Sequence, residues 1–420
     1  METTQKRKRF IRNKPPKHKK KVFVALSGGV DSSVAAALLK KQGYEVTGVF
    51  MQNWSDEKLS NCPYKEDRDS AMRVAARLDI PFFTWNFEKE YKERVVDYMI
   101  QGYQQGSTPN PDVMCNKEIK FDMFLKRALN NGADFIATGH YAKLKPQFHT
   151  VEQPGYEKKT RGVTYRLYKA DDKKKDQSYF LWTLTQEQLK HIIFPLGEYE
   201  KPEVRKLAAQ FNLPTAHRKD SQGICFVGMV DLPDFLAHWI EPRAGKIVDL
   251  DTGEEYGTHE GVWFYTIGQR HGLGIGGRRG QEEGEALFVA KKDIGTNTLY
   301  VVKGRDNRAL FTRDVVAEKT NWIAGYPKRG GWYKARVRYR GDLGACFFEI
   351  EHVGRRHRRG DVVISFKTPQ WGVASGQSVV FYDNKGEMMG GGVIKGTANS
   401  REKAVAETFG AGWNANEERN

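Results

Sequence analysis

The stretch Lys21-Val22-Phe23-Val24-Ala25-Leu26-Ser27-Gly28-Gly29-Val30-Asp31-Ser32-Ser33 decides the fold. Its first six residues form an apolar run of strand length, and Val34 to Lys41 reads as a helix ended by Gly43. Between them, two glycines allow backbone N–H groups to approach an anion, and the helix N-terminus adds its positive dipole. Ser27, Ser32 and Ser33 supply hydroxyl donors. Asp31 would repel a phosphate, so it orients the loop or helps to bind Mg2+. The stretch lacks the Gly-Lys-Ser/Thr ending of a Walker loop. A plain strand–turn–helix with serine capping is the competing reading.

Working outward, Glu45 to Met51 and Ile80 to Trp85 are further apolar strands, and Asp134 to His140 is a strand ending in a turn. Helical patterns lie between them at about 67–78, 89–103 and 121–130. Strand alternating with helix predicts a doubly wound parallel sheet whose ligand lies at the carboxyl ends of the strands. Residues 145–165 are polar and Lys-rich, an exposed loop or hairpin, and helices return at 185–191 and 201–211. After about Pro233 glycine becomes frequent, and from about Asn297 short alternating runs predict a β-barrel or sandwich. The expected domains are a basic disordered arm (1–20), a catalytic α/β domain (21–232), a small central domain (233–296), a β-barrel (297–400) and a tail (401–420).

Lys and Arg number 68 against 52 Asp and Glu, a formal charge of +16, which favours a polyanionic partner. Residues 1–21 hold ten Lys/Arg and one Glu. This arm is either a solvated tail or a non-specific clamp on nucleic acid. It has neither the apolar core of a secretory signal nor the Arg/Ser pattern of a transit peptide. No stretch reaches the length of a membrane span, so the expected location is the cytoplasm, with no membrane partner. The four cysteines, Cys62, Cys115, Cys225 and Cys346, include no Cys-x-x-Cys pair, which argues against a zinc ribbon, and no metal-ligand set is assigned.

Two of these cysteines sit in turn chemistry. Thr108-Pro109-Asn110-Pro111-Asp112-Val113-Met114-Cys115 is a proline-stiffened loop before a helix, presenting Asp112 and Cys115 three residues apart. A thiol near a helix N-terminus with Lys117 close by shifts toward thiolate, and Asp112 suits general acid–base work. A capped helix start with an incidental Cys is the bland alternative. Asp220-Ser221-Gln222-Gly223-Ile224-Cys225-Phe226-Val227 places Cys225 in a Gly-flanked segment.

Residues 27–32 resemble the PP-loop, Ser-Gly-Gly-x-Asp-Ser, of ATP pyrophosphatases, which split ATP between its α and β phosphates. The joint set is narrower. It comprises the loop, Asn110 to Phe121, Ala137-Thr138-Gly139-His140-Tyr141, Lys175 to Phe180, Gly223 to Val227 and Tyr265-Thr266-Ile267-Gly268-Gln269-Arg270. In this order the set resembles the tRNA-specific 2-thiouridylases from about Lys21 to Thr397. The arm and residues 147–162 match least.

The resemblance implies that Ala25, Leu26, Ser27, Gly28, Gly29, Val30, Asp31 and Ser32 cradle ATP, with Met51 and Gly139 against the adenosine. Asn110, Pro111 and Asp112 would contact the target base. Cys225 would carry a persulfide, with Cys115 as its partner thiol. His140, Lys175, Asp176, Gln177, Arg338, Tyr339 and Gln377 would contact tRNA. ATP converts the uridine 2-oxygen into an adenylate, and sulfur then replaces it as AMP leaves. Mg2+ would screen the phosphates. The implied partners are tRNA with an unmodified wobble uridine and a cysteine desulfurase or sulfur-relay protein. Ligation of an iron–sulfur cluster by the two cysteines is the less favoured use. The competing class is a PP-loop ligase acting on a small molecule, which needs neither two turn-borne cysteines nor a basic surface. A tRNA-binding protein without catalysis would not need the intact loop.

Overall fold

The computed structural model describes residues 19–55, 64–151, 160–219, 232–275, 286–328, 331–350 and 361–397. Strands β1 (Lys21–Ala25), β2 (Glu45–Gln52), β3 (Phe82–Asn86) and β4 (Phe135–Ala137) belong to one parallel sheet. Strands β5 (Ala142–Val151) and β6 (Thr160–Lys169) form a hairpin, and the short β7 (Ile192–Ile193) completes the sheet in the order β3-β2-β1-β4-β7.

The apolar run of β1 is buried on both sides. Val22, Val24 and Leu26 pack with Ala36 and Leu39 of helix α1 (Val30–Lys41) and with Ala71 and Val74 of α2 (Tyr64–Arg77). Phe23 and Ala25 face the opposite way, in a cluster with Met99, Ile119 and Phe124. Two-sided burial is why this strand reads as a continuous apolar run rather than an alternating one. The chain runs outward from β1 to β3 and returns to β4 on the other side of β1. That reversal opens a crevice between the carboxyl ends of β1 and β4, where residues 27–29 and 138–140 lie.

Several boundaries differ from the sequence expectation. Helix α1 starts at Val30 rather than Val34, because the Ser33 hydroxyl and amide both bond back to the Gly29 carbonyl. The helix expected from Phe121 starts one turn after Pro111, as a wide π-type segment over Cys115–Phe124 that continues into Leu125–Asn130. Helix 185–191 contracts to the single turn Gln186–Leu189.

The polar stretch after His140 is a ten-pair hairpin, and β6 joins a different sheet through Leu167–Met388 and Tyr168–Glu387. The central domain contributes β8 (Gly245–Asp249), β9 (Glu255–His259), β10 (Leu287–Asp293) and β11 (Thr298–Lys303), ordered β10-β11-β8-β9. Strand β11, placed by its alternation with the C-terminal strands, pairs with β10 and β8 instead.

Six strands follow: β12 (Phe311–Trp322), β13 (Tyr333–Arg336), β14 (Gly344–Ile350), β15 (Val362–Trp371), β16 (Ser378–Tyr382) and β17 (Glu387–Thr397). They run in the order β12-β15-β14-β13-β16-β17, and pairing of β12 with β17 closes a barrel. All five residues of β16 are buried. Val379 and Phe381 fill the barrel, while Val380 and Tyr382 pack on the catalytic domain. Among the described residues no helix is long and apolar enough to cross a membrane.

Candidate functional site

The loop after β1 is built to keep its backbone open. Gly28 has φ +77°, and a Cβ there would lie 2.3 Å from the Asp67 carbonyl oxygen. Its own carbonyl accepts from Ser70 Oγ at 2.9 Å and Arg218 Nη1 at 2.8 Å. Arg218 also pairs with Asp67, whose carboxyl is nevertheless pushed up by burial, against the lowering effect of that guanidinium. The Ser32 hydroxyl lies 3.1 Å from the Ser27 amide nitrogen and 3.2 Å from the Gly29 carbonyl oxygen. Ser33 Oγ donates to Gly29 at 2.7 Å. The hydroxyls expected to face an anion thus shape the loop, leaving backbone N–H groups and the α1 terminus to meet it.

Asp31 does not stand as an open charge. Its carboxylate receives Lys201 Nζ at 2.7 and 2.8 Å and the Tyr141 hydroxyl at 2.7 Å. Lys201 is 8% exposed and opens the helix Lys201–Gln210. Its amide donates to Asp172 Oδ2 at 2.9 Å, and Asp172 Oδ1 receives the Lys174 and Lys175 amides at 2.9 and 3.1 Å. Sequence reasoning missed Lys201 and Tyr141. A lysine in the first turn of a helix opposes the dipole, so it calls for a carboxylate partner, and that was the available signal.

Gly139 closes the crevice from β4. A Cβ there would sit 2.7 Å from the Ser32 amide nitrogen. His140 is 7% exposed, 2.7 Å from Thr138 Oγ1 through Nδ1, and boxed by the Phe121 and Phe194 rings at 5.7 and 6.2 Å. Burial first, and the Lys120 charge second, hold its imidazole well below the usual histidine range. Met51 is buried near the end of β2.

Asn110 caps a one-turn helix, Pro111–Met114, its side chain accepting from the Val113 amide at 3.1 Å. Asp112 is half-buried, and Cys115 is fully buried where the wide helical turn begins. Lys117, expected to act on the thiol, directs its ammonium to Glu118 at 2.8 Å. Ala25, Met51, Val113 and Cys115 share one buried cluster, so the thiol segment and the ATP-loop strand meet in one core. Cys225 and Cys62 lie outside the described residues. Cys346 is fully buried in the barrel core, where desolvation pushes its thiol pKa up.

The barrel and central domain grip the start of this segment. The Thr108 amide donates to the Ser375 carbonyl at 2.7 Å, and its carbonyl accepts from Gln377 Nε2 at 2.8 Å. The Thr108 hydroxyl lies 3.4 Å from that of Thr266. Gly376, at φ +87°, leaves no room for a Cβ, which would fall 2.9 Å from Thr108 backbone atoms.

The segment after Lys175, a half-buried residue, is bound as closely. Asp176 is 4% exposed and 3.7 Å from Arg336 Nη1, and Gln177 exchanges bonds with the Tyr141 backbone at 2.9 and 3.1 Å. The Tyr179 hydroxyl donates to the Ser378 carbonyl at 2.9 Å, and Tyr339 lies 4.4 Å from the Phe180 ring. Arg338 lies 4.6 Å over the Trp371 ring, which it shares with Arg305 at 5.3 Å. Of the residues assigned to tRNA by resemblance, Asp176, Tyr339 and Gln377 therefore lie at the catalytic domain–barrel seam, Arg338 packs on Trp371 of the barrel, and His140 and Gln177 are engaged within the catalytic domain.

Comparison with known proteins follows this architecture. A family model described as "tRNA methyl transferase HUP domain" matches residues 20–229. The "tRNA methyl transferase PRC-barrel domain" model matches 233–303, and the "Aminomethyltransferase beta-barrel domain" model matches 312–394. The tRNA-specific 2-thiouridylase MnmA of Nitrosomonas europaea is 48% identical over 383 residues, covering 90% of this chain and 99% of the relative. That of Geobacillus thermodenitrificans is 43% identical over 394 residues, covering 93% and 98%. That of Methylobacillus flagellatus is 45% identical over 378 residues, covering 90% and 99%. At these identities and coverages the chain belongs to the tRNA-specific 2-thiouridylase family.

Proposed function

We propose that the chain replaces the 2-oxygen of the wobble uridine of tRNA with sulfur at the expense of ATP. The observation that carries this reading is the shared core of Cys115, Val113, Met51 and Ala25. It sets a thiol-bearing, base-contacting segment against the strand that feeds an anion-binding loop.

ATP enters as a substrate. The residues fit it: Gly28 and Gly139 stand where a Cβ would meet backbone at 2.3 and 2.7 Å, Lys201 covers the Asp31 carboxylate and Arg218 that of Asp67. Residues 25–32 hold the polyphosphate through backbone amides and the α1 dipole, with Met51 and Gly139 toward the adenosine. Among the described residues no cluster of His, Cys, Asp or Glu could hold a metal by itself, so Mg2+ would arrive on the polyphosphate.

The uridine 2-oxygen attacks the α-phosphorus and pyrophosphate leaves. Asn110, Pro111 and Asp112 hold the base. Cys225 presents a persulfide, and Cys115 displaces its terminal sulfur as sulfide while the two cysteines become a disulfide. The sulfide adds at C2 and AMP departs with the former 2-oxygen. An external dithiol returns the disulfide to two thiols, and a cysteine desulfurase or relay protein restores the persulfide. The cytoplasm, which holds tRNA and ATP together, is the fitting compartment.

The test is Cys225→Ser. Thiolated uridine disappears while tRNA affinity stays within about twofold, and pyrophosphate release by the unaltered protein requires unmodified tRNA. Wild-type thiolation in the variant would remove Cys225 from the reaction. Release without tRNA, driven by a small acceptor, would favour the ligase class.

A further inference from the structure

The chain carries a second polar group at the strand ends that the assigned roles leave unused. Asn53 follows β2 directly, one strand over from the loop 27–33. It is 1% exposed, and neither its Nδ2 nor its Oδ1 has a hydrogen-bond partner. The neighbouring amide shows the contrast. Gln52 donates to Glu88 Oε2 at 3.1 Å and accepts from the Tyr64 hydroxyl at 2.8 Å. Among the described residues Asn53 is the one buried carboxamide whose donor and acceptor atoms are both unmatched.

A buried amide with both ends unpaired costs stability, and folds rarely keep one without a use. Its position gives the use. In parallel α/β sheets ligands lie at the carboxyl ends of the strands, which is where β2 ends. Met51 and Trp54, on either side of Asn53, belong to the buried cluster that holds Ala25 and Cys115. Trp54 is fixed there against Tyr91 and Phe235, with ring centroids 6.4 and 6.0 Å apart.

We propose that Asn53 is a ligand-reading residue of the active site, whose amide pairs with the hydrogen-bonding edge of a nucleobase. A carboxamide offers a donor beside an acceptor. Adenine N7 and N6 match that pair, as do O4 and N3–H of uracil. The proposal rests on the reading of this site as one for ATP and a uridine, and those are the two sources of such an edge.

The experiment uses the full chain with Asn53→Leu and Asn53→Ala. Affinity is measured for ATP and 7-deaza-ATP without tRNA. It is also measured for unmodified tRNA, and for the same tRNA with a wobble 3-methyluridine, whose N3 donor is blocked, without ATP. A matched bidentate edge discriminates by about tenfold or more. If adenine is the partner, the wild type prefers ATP to 7-deaza-ATP and both variants lose that preference. If uracil is the partner, the wild type prefers wobble uridine to 3-methyluridine and the variants bind the two tRNAs alike. Because the amide is unpaired in the free protein, Asn53→Leu also melts no lower than the wild type. Variants that keep both preferences overturn the proposal, and so does a lower melting temperature for Asn53→Leu with unchanged affinities. The ATP arm needs no thiolation, so failure of the thiouridylase reading would not be mistaken for failure of Asn53.

Discussion

Loop 27–33 follows a strand whose Ala25 shares a core with Val113 and Cys115, yet the loop and segment 108–115 are held in opposite ways. The first is secured inside its own domain by Ser70, Arg218, Tyr141 and Lys201. The second starts at Thr108, whose amide and carbonyl are both taken by the barrel and whose hydroxyl meets the central domain. ATP activation is thus assembled by the catalytic domain, whereas the thiol segment depends on three domains being correctly docked. Pro109 and Pro111 stiffen the chain after Thr108, so a shift there is passed toward Asp112 and Cys115 instead of being absorbed.

The sharpest way to break this contrast is Lys201→Met. Removing one partner of a buried ion pair costs about 3–5 kcal/mol, and the 33% exposure of the Asp31 side chain puts this pair at the low end. The uncovered carboxylate then faces the polyphosphate. tRNA-dependent pyrophosphate release falls by about a hundredfold or more, while the alkylation rate of Cys115, read by peptide mapping, stays as in the wild type. Equal disturbance of Cys115 would show that the two loops are not independently held.

Gly376→Ala tests the other side. An L-residue at φ +87° costs about 1–2 kcal/mol, and its methyl would press on Thr108. Thiolation falls by about tenfold, Cys115 alkylates faster, and ATP affinity is unchanged. A loss of ATP affinity equal to the loss of thiolation would erase the distinction.

The smallest effect concerns His140, which follows Gly139 and packs between the Phe121 and Phe194 rings. Burial depresses its folded pKa below the ordinary 6.5, so below that pH the unfolded chain binds a proton that the folded chain does not. Its stabilising contribution is complete above about 6.5 and is lost as pH falls, with a slope of at most about 1.4 kcal/mol per pH unit. Urea midpoints from about pH 7.5 to about 5.5 should fall more steeply for the wild type than for His140→Gln. Parallel curves would mean that His140 is not held neutral.

Much of this was legible beforehand where the signal is local. The glycines of the loop, the apolar β1 and the Asn110 cap each announce themselves within a few residues, because turn geometry and strand burial act over that range. The alternation of Ser378 to Tyr382 likewise marked a strand, although not that its two faces would serve a barrel interior and a domain seam. Lys201, 170 positions from Asp31, left only the faint trace of a cation at a helix start. Residues 145–165 read as an exposed loop or hairpin, and the hairpin is what forms; that β6 would pair with the distant β17 left no local pattern to read.

The sequence by itself determined the parallel sheet, the anion-binding loop and the family, since these rest on residue type and spacing along a continuous stretch. Only the tertiary structure decided that Asp31 is neutralised, that Gln377 reaches Thr108, and that Asn53 is buried with its amide unmet. Each of these depends on which distant group approaches a polar atom once water is excluded. That approach is set by how sheet, central domain and barrel pack, and the identity of neighbouring residues does not encode it.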